Sequence, residues 1–348
     1  MIELITIAVA IVFFAVITAG VKFLPHEKWQ FVATIPITKN HDGSWNGLNL
    51  TYYGVITATS YVLAVVIFYF LALSQQVPVK SIVFFVVTIL SICMPAAKFI
   101  ALVVEKKRHT FSVGGASFAG IIAAPLIIYL YNMLAPLWHE RPVSGLSILA
   151  AISIAYAFGE GFGRLACLSF GCCYGKPLAD APVWLQRACF YQGLIFTGKT
   201  KKVSYAHDLD GQPLIPVQVM TAYLYTFIGV LGFYLFLKGW FGTALLLTLA
   251  VTQIWRLLSE FLRADHRGSG RISAYQVMSV AGVFYVALVV FLLPADSAVI
   301  AIEPAFKALW SPVFIVSMQA LWLLAFLYCG RSQVTIARVD MSVLTDRI

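Results

Sequence analysis

The sequence predicts an all-α polytopic membrane protein with about nine transmembrane helices, and three observations lead there. Apolar and aromatic residues make up 61% of the chain, against about 45–50% in soluble domains. Charged residues make up 11%, against about 25% in soluble domains. Finally, apolar runs near the ~20 residues that a bilayer core requires recur along the whole chain. A length of 348 residues would otherwise suggest about two soluble domains. The composition also excludes a disordered chain, a coiled coil and a secreted disulfide scaffold.

The first candidate span, 2–24, opens Met-Ile-Glu without a basic stretch, and its apolar run is long for a signal peptide. It is therefore read as a retained helix. Residues 25–50 are polar, with turn signals at His41-Asp42-Gly43-Ser44 and Asn46-Gly47. Spans 52–73, 80–104, 114–137 and 146–170 follow, the third opening on Gly114-Gly115. A long polar loop covers 171–215, with breaks at Pro177, Pro182, Gly198, Asp210-Gly211 and Pro213. A connection of that length is functional or disordered. Spans 216–238, 241–262, 273–293 and 309–329 complete the set.

The 24 basic residues exceed the 15 acidic ones. Embedded in so apolar a chain, that excess suits anionic lipid headgroups or a cytoplasmic charge bias, not nucleic acid. The six cysteines are too few and scattered for a disulfide framework, and their spacing offers no structural zinc motif. No metal and no cofactor are expected.

Charges inside apolar spans are costly and therefore informative. Lys98, Arg164 and Arg256 occupy such places. Lys98 is expected to snorkel from its helix. Glu160 precedes Arg164 by four residues and Glu260 follows Arg256 by four, so each helix is expected to carry its own Arg–Glu pair. Arg263 extends the second stripe. One reading is structural neutralisation of buried arginines. The other is a phospholipid headgroup site, because guanidinium groups clasp phosphate bidentately. Gly159, Gly161 and Gly163 bare one stretch of helix, either for close helix packing or for room beside Arg164. Cys172 and Cys173 lie near these arginines in sequence. They are either small buried thiols of a tight turn or thiolates of lowered pKa able to act as nucleophiles. His207, alone in the long loop, is expected to be solvated.

These residues form a familiar series. Gly163-Arg164-Leu165-Ala166-Cys167-Leu168-Ser169-Phe170-Gly171-Cys172-Cys173-Tyr174-Gly175 resembles the signature of the prolipoprotein diacylglyceryl transferase family. Tyr52-Tyr53-Gly54, the run Gly114 to Gly120 and Pro216-Val217-Gln218 are similar to further family motifs, in the same order. So are Arg256-x-x-x-Glu260-x-x-Arg263 and Ser273-x-x-Gln276-x-x-Ser279. The resemblance covers about residues 50–293. It implies seven family-like core helices (51–293) with a head at 171–215, flanked by an extra N-terminal helix and loop (1–50) and an extra C-terminal helix and tail (294–348).

It further implies transfer of a diacylglyceryl group from phosphatidylglycerol to a lipobox cysteine thiol, with release of glycerol phosphate. Arg164, Arg256, Glu160 and Glu260 would be catalytic. Tyr53, Gly114, Gly115, Gly163, Arg263 and Gln218 would bind substrate. The partners would be phosphatidylglycerol, or another anionic phospholipid, and prolipoproteins, at the cytoplasmic membrane. Several positions depart from the family pattern. Its catalytic histidine is Ala119, its signature Asn and acidic residue are Cys167 and Cys172, and Ile215 and Met220 replace a His and a Tyr. Another acceptor, or an inactive phospholipid-binding scaffold, therefore stands as the alternative. A transporter is a third class, disfavoured by the lack of inverted-repeat symmetry. Alternating loops put 17 basic residues on the side of the signature and 4 on the other. Positive-inside predicts a cytoplasmic signature loop, whereas the resemblance implies the outer face.

Overall fold

The structure is a computed structural model and describes residues 2–106, 112–189, 192–265, 272–294 and 300–348. Four of the basic residues counted for orientation, Lys107, Arg108, Arg267 and Arg271, lie outside the described residues.

Among the described residues nine helices are long and apolar enough to cross a membrane. They are α1 (Ile2–Phe23), α2 (Tyr52–Ser74), α3 (Val79–Glu105), α4 (Val113–Leu134), α5 (Gly145–Phe170), α8 (Val217–Leu237), α9 (Phe241–Leu262), α10 (Ala274–Leu292) and α12 (Pro312–Cys329). The short helices α6 (Val183–Ala188) and α7 (Lys202–His207) lie in the long loop, and α11 (Ile302–Leu309) precedes α12. The chain is an integral multi-pass membrane protein.

Helix α5 is the axis of the bundle. It packs against α2, α8 and α9, with α1 against α8 and α5, and α4 between α3 and α10. Small residues let it sit there: Ala150, Ala151, Ser153, Ala155 and Ala157 are all buried. A Cβ on Gly159 would lie 2.9 Å from Ala64 on α2, and one on Gly161 3.1 Å from Thr226 on α8. At Gly163 the nearest atom, Ser60 Oγ, would be 3.5 Å away, so only the first two glycines are needed for packing. The helix runs unbroken through all three, so no unwound segment lies beside Arg164. The contrast with α12 is sharp: 78% of the α5 span is buried and none of the α12 span, which leans mainly on α2.

The polar segment after α1 is not a plain loop. Strands β1 (Phe31–Lys39) and β2 (Trp45–Thr51) form an antiparallel hairpin, and β3 (Arg331–Val339) from the C-terminal tail pairs antiparallel with β2. The turn at Asn40–Ser44 matches one expected turn signal; Gly43 there has φ +86°. The other, Asn46-Gly47, lies inside β2, because the hairpin closes four residues earlier and Gly47 gives Thr34 room. The sheet is fastened where α2 starts. Thr51 N–H donates to the Gly330 carbonyl at 2.9 Å, and a Cβ on Gly54 would lie 2.1 Å from Gly330 Cα.

The long loop is an ordered cap. Tyr174, Leu194, Phe196, Val203 and Leu214 form one buried cluster with Leu24 of the α1 end and Leu165 and Leu168 of α5. Lys201 is fully buried beneath it, its Nζ donating to the carbonyls of Leu24 (3.2 Å) and Ser169 (2.7 Å). Those carbonyls sit at two helix C-termini, where unpaired acceptors attract a cation.

Candidate phosphate clamp and cysteine turn

Two buried arginines meet at one carboxylate. Arg164 of α5 pairs with Glu160 one turn before it, as the spacing predicts. Arg256 of α9 departs from expectation: instead of pairing with Glu260, its Nη2 donates to Glu160 Oε1 at 2.7 Å and Oε2 at 2.6 Å. It also donates to the Tyr156 hydroxyl at 2.9 Å. The physical reason lies on α5. Tyr156, Glu160 and Arg164 are spaced at i, i+4 and i+8, so their side chains form one stripe. Arg256 projects from the buried side of α9 onto it, and the carboxylate it finds there is shared.

The group of two guanidinium ions and one carboxylate carries a net charge of +1. The Nε–H groups of Arg164 and Arg256 are buried without a hydrogen-bond acceptor among the described residues. Gly114 makes the approach sterically feasible, since a Cβ there would lie 3.0 Å from Arg256 Nη1 and 2.8 Å from the Tyr275 ring. Gly115 instead accommodates Ile100 of α3.

Glu260 and Arg263 form a second group. Arg263 makes a two-pronged contact with Asp265, with both N···O distances 2.7 Å, and lies 4.0 Å from Glu260. Glu260 Oε2 accepts from the Ser273 hydroxyl at 3.4 Å. Asp265 and Tyr156 are partners that motif reading misses. Tyr156 had a signal, the i, i+4 spacing to Glu160, whereas Asp265 lies beyond the helix and had none.

At the end of α5 the chain turns sharply. Gly171 caps the helix with φ +71°, and Cys173 adopts φ +59°, a region that residues with a side chain rarely enter. The turn brings Cys167, Cys172 and Cys173 together, all three sulfurs within 4.8 Å of one another. Gln218 at the start of α8 holds it, its Nε2 donating to the Cys172 carbonyl at 2.9 Å. Gln218 thus positions this turn, while its Oε1 is buried without a donor. Tyr53 stacks edge-on against Phe170 at 5.6 Å and lies in the field of the same three sulfurs. Of the two readings of this turn, the direction at Cys172 goes against a thiolate of lowered pKa and with small buried thiols. Hydrogen bonding with Cys167 and Cys173, together with burial, pushes the Cys172 thiol well above its ordinary value. His207 is not merely solvated, because its Nδ1 contacts the Tyr174 hydroxyl. Lys98 is exposed on α3.

The site thus joins the ends of α2, α5, α8 and α9 at one face of the bundle. The chain is 27% identical over 175 residues to the phosphatidylglycerol–prolipoprotein diacylglyceryl transferase of Clostridium tetani, an alignment covering 48% of this chain and 59% of that protein. It is 30% identical over 132 residues to phosphatidylglycerol–prolipoprotein diacylglyceryl transferase 2 of Clostridium perfringens, covering 36% of this chain and 43% of the relative. The matches therefore span about half the length of these curated relatives. The family's own sequence profile reaches further, over residues 44–293, and takes in every spanning helix except α1 and α12. With the paired arginines, the cysteine turn and seven spanning helices inside that match, the chain belongs to the prolipoprotein diacylglyceryl transferase family.

Proposed function

We propose that the protein moves the diacylglyceryl group of phosphatidylglycerol to a cysteine thiol and releases glycerol phosphate. The observation that carries this reading is the pair of buried arginines from two helices whose Nε–H groups lack acceptors. A phosphodiester is a monoanion with two terminal oxygens, matched to a clamp of net charge +1 with unused donors. As the C–O bond breaks, charge grows on the leaving phosphate, and guanidinium groups already in place stabilise it. Phosphate oxygens and the Glu160 carboxylate compete for the same donors. Lipid binding would therefore loosen Glu160, leaving it or Glu260 to accept a proton.

Tyr53, Gly114, Arg263 and Gln218 would frame the lipid head. Ala119 cannot replace the histidine of the family pattern, which supports the second reading, a phospholipid-binding scaffold. Incubating the purified protein with labelled phosphatidylglycerol and a lipobox peptide separates these readings. Lipidated peptide is the expected product. Glycerol phosphate without lipidated peptide would point to another acceptor, and bound lipid without either product to a scaffold.

The acceptor also depends on orientation, where the charge count and the resemblance disagree. In intact cells, a membrane-impermeant thiol reagent should label a cysteine placed at exposed Lys199 and spare one at exposed Arg141 if the site faces outward. The reverse pattern would rule out an exported prolipoprotein.

A further inference from the structure

We propose that Cys167, Cys172 and Cys173 form a zinc site whose open fourth position takes the acceptor thiol, an inference that rests on the transferase reading above. Three sulfurs within 4.8 Å of one another are close to the arrangement a single ion needs. Zn–S bonds of about 2.3 Å in tetrahedral geometry place sulfur pairs about 3.8 Å apart, a shift of roughly 1 Å at most. Three thiolates with no fourth protein ligand among the described residues match the pattern of catalytic zinc sites, which keep one position for water or substrate. Soft sulfur donors select zinc or copper(I) over magnesium and calcium, and the chemistry requires no redox change.

The surroundings fit such a centre. Three thiolates around Zn²⁺ carry a net charge of −1, and Arg164, Arg263 and Lys202 all lie in the electrostatic field of these sulfurs. The turn is fixed from several sides. Cys172 N–H bonds the Cys167 carbonyl at 3.1 Å, Gln218 holds the Cys172 carbonyl, and Val203 N–H reaches the Gly171 carbonyl at 3.0 Å. Such outer contacts keep metal ligands in place. The left-handed backbone at Cys173 is part of the turn that brings its sulfur beside the other two.

The site supplies what Ala119 removed. A thiol bound to zinc is deprotonated outright, so no histidine is needed to make the nucleophile. The acceptor thiol gives up its proton on binding the metal, by way of water, to the carboxylate that the lipid phosphate has loosened, Glu160 or Glu260. Its sulfur lone pair then forms a C–S bond at the glyceryl carbon that carries the phosphate. The C–O bond breaks, and its electron pair leaves with glycerol phosphate against Arg164 and Arg256. The thioether product is a weak ligand and leaves the fourth position open again.

Cobalt replacement tests this without turnover. The purified full-length protein should bind one equivalent of Zn²⁺. Its Co²⁺ form should show thiolate-to-metal charge transfer, which rises by about a third when a lipobox peptide adds a fourth thiolate and is unchanged by the Cys→Ser peptide. Cys167→Ser, Cys172→Ser and Cys173→Ser should each weaken metal binding by more than the ~100-fold that losing an outer contact can cost, while Cys93→Ser should not. No metal uptake by the folded protein, a disulfide within the trio, or no spectral response to the peptide thiol would overturn the proposal. Undiminished lipid transfer after chelation would overturn it too, with the transferase reading intact. A peptide-responsive cobalt site without lipid transfer would support the site and overturn the transferase reading.

Discussion

Two ion pairs with the same i, i+4 spacing lie in different media. Glu160–Arg164 in α5 has side chains 5% and 11% exposed, whereas Glu303–Lys307 in α11 has side chains 76% and 75% exposed. In water such a pair contributes about 0.3–0.5 kcal/mol, because solvent and salt screen it. Inside the bundle each ion has lost its hydration, and removing one partner strands the other. The inner pair also recruits Arg256 from a second helix, and the outer one recruits no third charge among the described residues. Spacing specifies which side chains can meet. Burial decides whether the meeting organises a site.

The largest effect is expected at Arg256. Arg256→Ala should abolish lipid transfer and phosphatidylglycerol binding. It should also destabilise the protein in detergent by about 3–5 kcal/mol, since Tyr156 and Glu160 lose their cross-helix donor. Arg256→Lys should recover stability in part and activity poorly, because an ammonium cannot reproduce the planar fork. Thermal unfolding alongside the transfer assay checks both, and near-wild-type activity in the alanine variant would remove the clamp from the mechanism. Glu160→Gln sharpens the point. It should lower stability without lipid yet raise affinity for phosphatidylglycerol, as two cations then lack their competitor. Weaker lipid binding would show that Glu160 orients the arginines instead.

Lys201 offers an intermediate case, a buried cation held by two carbonyl oxygens, with Glu27 acting on it only through its field. Burial lowers its pKa from the ordinary 10.5 to about 8. The unfolded chain therefore binds more protons than the folded one between about pH 8 and 10.5, and stability rises with pH across that window. The contribution is at most about 3 kcal/mol. Lys201→Met should flatten the rise relative to wild type in chemical unfolding followed from pH 7 to 10. Parallel profiles would mean that the ammonium is better solvated than its burial implies.

A smaller effect is expected at Gly54. Gly54→Val would push the start of α2 from Gly330 and should cost about 1–3 kcal/mol, loosening the three-stranded sheet. Faster proteolysis near Arg331 at unchanged helix content would report it.

The legibility of the sequence followed the same divide. Apolar runs are long and repeated, so all nine spans could be read to within a few residues. The sheet was not legible. Its third strand comes from the far end of the chain, and Arg331–Val339 shows no apolar alternation strong enough to announce a strand by itself. Arg164, Arg256 and Glu160 were legible because charge in an apolar helix is rare. Their true pairing was not, since the angle between α5 and α9 decides which carboxylate Arg256 meets. The three cysteines were visible as letters. Only the turn through Gly171 and Cys173 brings their sulfurs together.

The least effect is expected at the outer pair, and that expectation completes the contrast. Lys307→Ala and Glu303→Ala each remove one end of a 2.7 Å contact that is three-quarters exposed. The surviving charge keeps its water shell, so no desolvated ion is left behind, and helix propensity favours alanine slightly. Each variant should stay within about 0.5 kcal/mol of wild type, and the double-mutant coupling should shrink further at 0.5 M salt. A coupling above about 1 kcal/mol would mean that α11 lies in a less aqueous environment than its exposure indicates. Its place would then be the headgroup layer, and the pair would belong with the buried clamp.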